Sequence, residues 1–121
     1  MRISDAELEV MEVLWAADAP MTATEVAERI GAERDWSLAT VKTLLSRVTA
    51  KGAIRFREEG RRYLYSAAIA RDSYVGKESR RFVAQVFGGR LSPLVARLAE
   101  EDALDEEDIA AIEAILKELK S

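Results

Sequence analysis

Two Ser/Thr-x-x-Glu sequences, Ser4 with Glu7 and Thr22 with Glu25, fix where the first two helices of this chain must begin. In such a box the hydroxyl accepts from the third helical amide while the glutamate reaches back to the cap amide, so two orphan donors are satisfied at one stroke. After the first box, Leu8, Met11, Leu14 and Trp15 recur at helical spacing until Asp18-Ala19-Pro20, which predicts a helix over about residues 5 to 17. The second box opens a helix of about two turns that buries Val26 and Ile30 and stops at Gly31. Ser37 is the N-cap expected for a third helix, with Val41, Leu44, Leu45 and Val48 as its buried stripe and Gly52 as its stop.

The pattern then changes period. Ile54 and Phe56 alternate with Arg55 and Arg57, Glu58-Glu59-Gly60-Arg61 reads as a turn, and Tyr63, Leu64 and Tyr65 follow, which predicts a two-stranded hairpin. Tyr63 and Tyr65 are expected to pack on the helices rather than to stack on bases. Three helices followed by a hairpin within about 65 residues give the winged form of the helix-turn-helix, in which the third helix enters the major groove of DNA. A plain three-helix bundle has no use for the hairpin.

The rest of the chain is helical. Tyr74, Val75, Phe82, Val83 and Val86 mark a helix over about residues 72 to 87, ended by Gly88-Gly89. Ser92-Pro93 predicts the start of a short helix carrying Leu94, Val95 and Leu98, with Pro in the first helical position. Asp105 caps a last helix with Ile109, Ile112, Ile115, Leu116 and Leu119 on one stripe. Three amphipathic helices in about 50 residues are too few to bury their own faces, and a second copy is the economical cover. The fold class expected is therefore mainly α with a small β-hairpin: a winged-helix DNA-binding domain over 1–70 and a helical dimerisation region over 71–121. Tyr74, Phe82, Val86, Leu94, Leu98, Ile109, Ile112, Ile115, Leu116 and Leu119 are its expected interface in a homodimer.

Charge points to the partner. The net charge of -4 hides three blocks: residues 1–35 hold 3 Lys+Arg against 9 Asp+Glu, residues 36–81 hold 11 against 4, and residues 82–121 hold 4 against 9. A basic centre between acidic ends fits a phosphate-binding face on an otherwise repelling molecule. The outward face of the third helix, Ala39, Thr40, Lys42, Thr43, Ser46 and Arg47, has no carboxylate, so it can approach phosphates and base edges without repulsion. Thr40, Lys42, Thr43, Ser46 and Arg47 are the expected base readers. Ser37, Lys51, Arg55, Arg57, Arg61 and Arg62 are the expected contacts to the sugar-phosphate backbone of a double-stranded operator.

Other function classes lack their residues. The chain has no Cys and no His, so thiolate or imidazole metal sites and the usual nucleophiles and bases are missing, and no metal or cofactor is expected. Its carboxylates sit where caps and solvated faces account for them, so it does not read as an enzyme. No apolar run approaches the roughly 18 residues that span a bilayer and no signal peptide is evident, which predicts a cytoplasmic protein without membrane insertion. Two further readings stay open. One is a winged-helix module docking an acidic protein, which would expose apolar anchors on the third helix in place of Thr40, Lys42, Thr43 and Arg47. The other is a small-molecule-responsive regulator with a pocket lined by Trp15, Tyr74 or Phe82.

Several stretches, taken in order, resemble the bacterial penicillinase repressors and the related copper-transport repressors over nearly the whole chain. They are Ile3-Ser4 to Leu14-Trp15, Thr22-Ala23-Thr24-Glu25-Val26, Trp36-Ser37 with Thr40-Val41-Lys42-Thr43-Leu44-Leu45-Ser46-Arg47, Lys51-Gly52, and Gly60-Arg61-Arg62-Tyr63-Leu64-Tyr65. The resemblance implies a homodimeric repressor of resistance genes on a palindromic operator, with C-terminal helices spiralled together. It implies that Thr40, Lys42 and Thr43 face the major groove and that Arg61 and Arg62 sit in the wing. Two features depart from the pattern. The Cys-x-Cys pair of copper-sensing relatives is missing, and Arg97-Leu98 stands where penicillinase repressors are cut at an Asn-Phe bond. Leu94-Val95 and Ala99-Glu100 around it keep the family pattern, so the resemblance leaves Arg97-Leu98 as a site where a membrane sensor protease of another preference could cut.

Overall fold

The computed structural model describes residues 2–31 and 33–121. Helices α1 (Asp5–Ala16), α2 (Ala23–Ile30) and α3 (Leu38–Ala50) precede strands β1 (Ile54–Glu59) and β2 (Arg62–Ala67), and α4 (Arg71–Phe87), α5 (Leu91–Glu100) and α6 (Glu106–Lys120) follow. This is the winged helix-turn-helix with a helical tail that the sequence predicts. Among the described residues no helix is long and apolar enough to cross a membrane.

Both predicted capping boxes are formed. Ser4 Oγ accepts from the Glu7 amide at 3.2 Å while Glu7 Oε1 accepts from the Ser4 amide at 2.8 Å, and Thr22 and Glu25 repeat the exchange at 3.2 and 2.9 Å. The caps aim the apolar stripes of α1, α2 and α3 at one core, in which Val10, Met11, Val26, Val41, Leu45 and Val48 are fully buried. Each such side chain contributes about 1.5–3 kcal/mol by leaving water.

The hairpin pairs in strict register from Ile54 with Ala67 to Glu59 with Arg62, which leaves Gly60 and Arg61 as a two-residue turn. Gly60 has φ of +66° and Arg61 does not share the positive φ, the combination of a type II′ turn, whose first central position strains any side chain. Arg61 is thereby held at the tip. A backbone bridge, Met21 N–H to Tyr65 C=O at 2.9 Å and Tyr65 N–H to Met21 C=O at 2.7 Å, ties β2 to the segment before α2.

One carboxylate does more than cap. Glu7 is the one buried charged residue among the described residues, and its Oε1 also accepts from Lys51 Nζ at 2.6 Å, while that ammonium donates to the Arg2 carbonyl at 2.7 Å. Lys51 is the C-cap of α3, so the pair fastens the start of α1 to the end of α3. Burial alone raises the Glu7 pKa, but the Lys51 ammonium and the Ser4 donors outweigh it and hold the carboxyl below its ordinary value. Lys51, expected as a phosphate contact, is therefore engaged as a structural cation.

The chain divides into two compact units, Met1–Tyr74 and Val75–Ser121, so α4 begins in one and ends in the other. The division lies four residues beyond the expected 70/71 boundary because the first turn of α4 is held by α1. Arg71 Nε donates to Glu12 Oε1 at 2.7 Å, the Trp15 and Tyr74 rings stand 5.7 Å apart, and Trp15 Nε1 donates to the Ile69 carbonyl at 2.9 Å. Tyr74, expected at the dimer interface, thus packs on Trp15 of its own chain.

In the second unit, α5 begins at Leu91, with Arg90 as its cap, so Pro93 occupies the third helical position and not the first. The ring still removes only an amide that has no intrahelical acceptor. Asp105 caps α6 through its own box with Asp108. No residue of α4, α5 or α6 is buried, and Phe82, Val86, Leu91, Ile109, Ile115, Leu116 and Leu119 are all exposed.

Lys51→Met is expected to lower stability by about 1–3 kcal/mol at neutral pH, since it leaves the Glu7 carboxylate buried with one donor fewer. A depressed carboxyl contributes stability above its unfolded value that is lost as pH falls through its folded value, so the deficit should shrink in acid. Urea unfolding of both proteins at about pH 7 and about pH 3 measures it.

Candidate nucleic-acid interface

The exposed side of α3 is built by its buried side. With Val41, Leu44, Leu45 and Val48 in the core, helical spacing turns Thr40, Lys42, Thr43, Ser46 and Arg47 to solvent, where all five are exposed. Ser37 Oγ accepts from the Thr40 amide at 3.1 Å and lies 3.1 Å from Thr40 Oγ1, so its first role is the cap of α3. Thr43 Oγ1 donates to the Ala39 carbonyl at 3.0 Å. Lys42 and Arg47 have no ion pair among the described residues. A shallow groove of about 450 Å³ runs along Lys42, Thr43, Ser46, Arg47 and Ala50.

Beside it, a more recessed cleft of about 460 Å³ opens between the start of α2, α3 and the wing. Lys42, Arg61 and Arg62 bring three cations to it, Thr22 and Thr24 two hydroxyls, and Tyr63 and Tyr65 two rings. Residues about 40 positions apart in sequence meet there because the Met21–Tyr65 bridge draws β2 against the α2 entry. Thr24, Tyr63 and Tyr65 were not expected in this role. The hydroxyl pair Thr22-x-Thr24 is visible in the sequence, but its nearness to the wing rests on a bridge that no periodicity announces.

The tyrosines divide in their behaviour. Tyr65 packs on the core as expected, whereas Tyr63 stays 45% exposed and stacks 4.8 Å from Phe56 within the hairpin. The wing arginines divide too. Arg57 and Arg62 approach Glu59, Arg55 donates to the Ala67 carbonyl at 3.4 Å, and Arg61 has no ion pair among the described residues. The Glu25 carboxyl is held below its ordinary value, chiefly by the Thr22 amide and hydroxyl, with Arg62 and Arg29 adding weaker attraction.

The surface as a whole joins cations, hydroxyls and a carboxylate-free helix face on one side of the first unit, which suits a polyanion with readable edges. Apart from Leu38 in its first turn, 40% exposed, α3 turns no large apolar side chain to solvent of the kind a protein-docking helix would present. Trp15 and Tyr74, expected to line a small-molecule pocket, are packed on each other, and Phe82 stands 6.0 Å from Phe87 in the second unit. Arg97 and Leu98 lie inside α5, with Arg97 3.6 Å from Glu100 and 3.8 Å from Glu101.

Comparison with known proteins bears on both units. The sequence profile of the penicillinase repressor family matches residues 3–118. The chain is similar to the penicillinase repressor of Bacillus licheniformis, at 36% identity over 99% of this chain and 93% of that protein. It is also similar to the methicillin resistance regulatory protein MecI of Mammaliicoccus sciuri, at 31% identity over 94% of this chain and 92% of that one. Among solved structures, the monomeric form of Bacillus licheniformis BlaI in complex with the blaP half-operator superposes with a TM-score of 0.52 at 38% identity, covering 61% of this chain and 89% of the other.

Proposed function

The chain belongs to the penicillinase repressor family, and on that premise we propose that it is a transcriptional repressor that binds operator DNA and controls β-lactam resistance genes. The observation that carries the reading is the exposed, carboxylate-free face of α3 beside a cleft holding Lys42, Arg61 and Arg62. A relative at 38% identity, covering 61% of this chain, was solved on half of an operator. The protein is a DNA-binding regulator and not an enzyme.

In this reading α3 enters the major groove, and Thr40, Lys42, Thr43, Ser46 and Arg47 meet base edges. Arg61 at the turn tip and Arg62 beside it meet the backbone, with Arg55 and Arg57 further along the wing and Ser37 at the helix cap. Thr24 joins them at the cleft. Lys51 takes no part, since Glu7 and the Arg2 carbonyl already hold its ammonium.

The protein acts as a homodimer in the cytoplasm, on a palindromic site. The apolar residues that α4, α5 and α6 leave uncovered support this, Leu119 at 77% and Ile115 at 59% exposure most of all. Phe82, Val86, Leu94, Leu98, Ile109, Ile112, Ile115, Leu116 and Leu119 form the interface, without Tyr74. A membrane sensor protease acting at Arg97–Leu98 has to unwind α5 first, since nicking favours exposed loops over helices.

Fluorescence anisotropy on the DNA upstream of its own and neighbouring genes, against random duplex, tests the reading; a preference of about 10³ or more is expected. Lys42→Ala and Thr43→Ala should weaken operator binding more than random-duplex binding, whereas Arg61→Ala should weaken both and lower the salt slope by about one. Equal losses on both duplexes for the α3 variants remove the base-reading assignment. Ile112→Asp should give a monomer in sedimentation velocity, and a surviving dimer places the interface elsewhere.

A further inference from the structure

The wing carries four arginines, and they are not equivalent. Glu59 stands between two of them: its Oε2 lies 3.5 Å from Arg57 Nη2 and its Oε1 3.5 Å from Arg62 Nη2. Register puts Glu59 opposite Arg62, directly before the Gly60–Arg61 turn. Arg62 lines the cleft with Lys42 and Arg61. Glu58, one residue earlier and opposite Tyr63, has no ion pair among the described residues.

We propose that Glu59 is the wing's internal counter-anion: it holds Arg57 and Arg62 in the free protein, yields them to duplex phosphate on binding, and so sets the affinity for DNA. The inference rests on the DNA-binding reading above. All three side chains are more than half exposed, so the pairs are weakly held. A backbone phosphate offers each guanidinium a charged acceptor of equal sign and better fork geometry, and can displace the carboxylate. The displacement costs affinity on every sequence alike, which keeps a protein with seven excess cations in its central block from resting on random DNA.

Glu58 supplies the control, because Glu58→Gln and Glu59→Gln change the net charge identically. Anisotropy on a labelled random-sequence duplex at about 50 mM salt is expected to show Glu59→Gln binding about two- to fivefold tighter than wild type, and Glu58→Gln less than half as far shifted on a logarithmic scale. In an Arg57→Ala/Arg62→Ala background the Glu59→Gln gain should vanish. Equal gains from the two glutamine variants overturn the proposal and leave only net charge, even if the double-arginine variant fails to fold. A Glu59→Gln gain that persists without the two arginines overturns it as well. Wild-type protein that binds no duplex at low salt overturns the DNA-binding reading and this inference together, whereas wild-type binding with indistinguishable glutamine variants overturns this inference alone.

Discussion

The Glu7 carboxylate joins the first helix to the third, and the placement of the outward face of α3 depends on that joint. It accepts from the Ser4 amide and from Lys51 Nζ, and Lys51 in turn ends α3 and reaches the Arg2 carbonyl. A charge buried to this degree is tolerable only when its donors are all in place. The two ends of α3 are thus fixed by different chemistry: a hydroxyl cap at Ser37 and an ion pair at Lys51. Between them four apolar residues lock the helix about its own axis, so the opposite face has one orientation available.

What was legible in the sequence was whatever local chemistry decides. The capping boxes, the stop glycines, the period of α3 and the turn at Gly60 each act over a few residues, and each stands where the pattern put it. The misreadings have a common cause in contacts across long separations. Lys51 looked like a free cation because its partner lies 44 residues earlier, and Glu7 looked like a cap and nothing more. Tyr74 sits on an amphipathic stripe that suggests an interface, yet Trp15 claims it. The cleft was missed for the same reason: Thr24 and Tyr63 approach only because Met21 pairs with Tyr65. Pro93 was misplaced by two positions, since Gly88 and Gly89 turn the chain early enough for α5 to begin at Leu91.

The two units also differ in how they are stabilised. The first has a closed core in which Val10, Met11, Val26, Val41, Leu45 and Val48 are fully buried, while the second has helices of which α6 carries a side-chain cap and none buries a residue completely. Capping and propensity alone leave short helices marginal in water, so the second unit draws its stability from whatever covers its apolar stripes. With a second copy as the cover, as proposed, folding of that unit and pairing would be one equilibrium, and its stability would depend on protein concentration while that of the first unit would not.

The Thr43 hydroxyl spends its one donor on the hydrogen bond to the Ala39 carbonyl. Such an oxygen can only accept, so the side chain discriminates by what it refuses. Set against a base edge, it would tolerate the amino groups of adenine and cytosine, and its methyl the methyl of thymine, but it would have no donor for the O6 or N7 of guanine. If Thr43 meets a base edge as proposed, a residue of middling size and no charge would thereby act as a filter against guanine at one step of the groove, a preference written by the helix backbone four residues upstream.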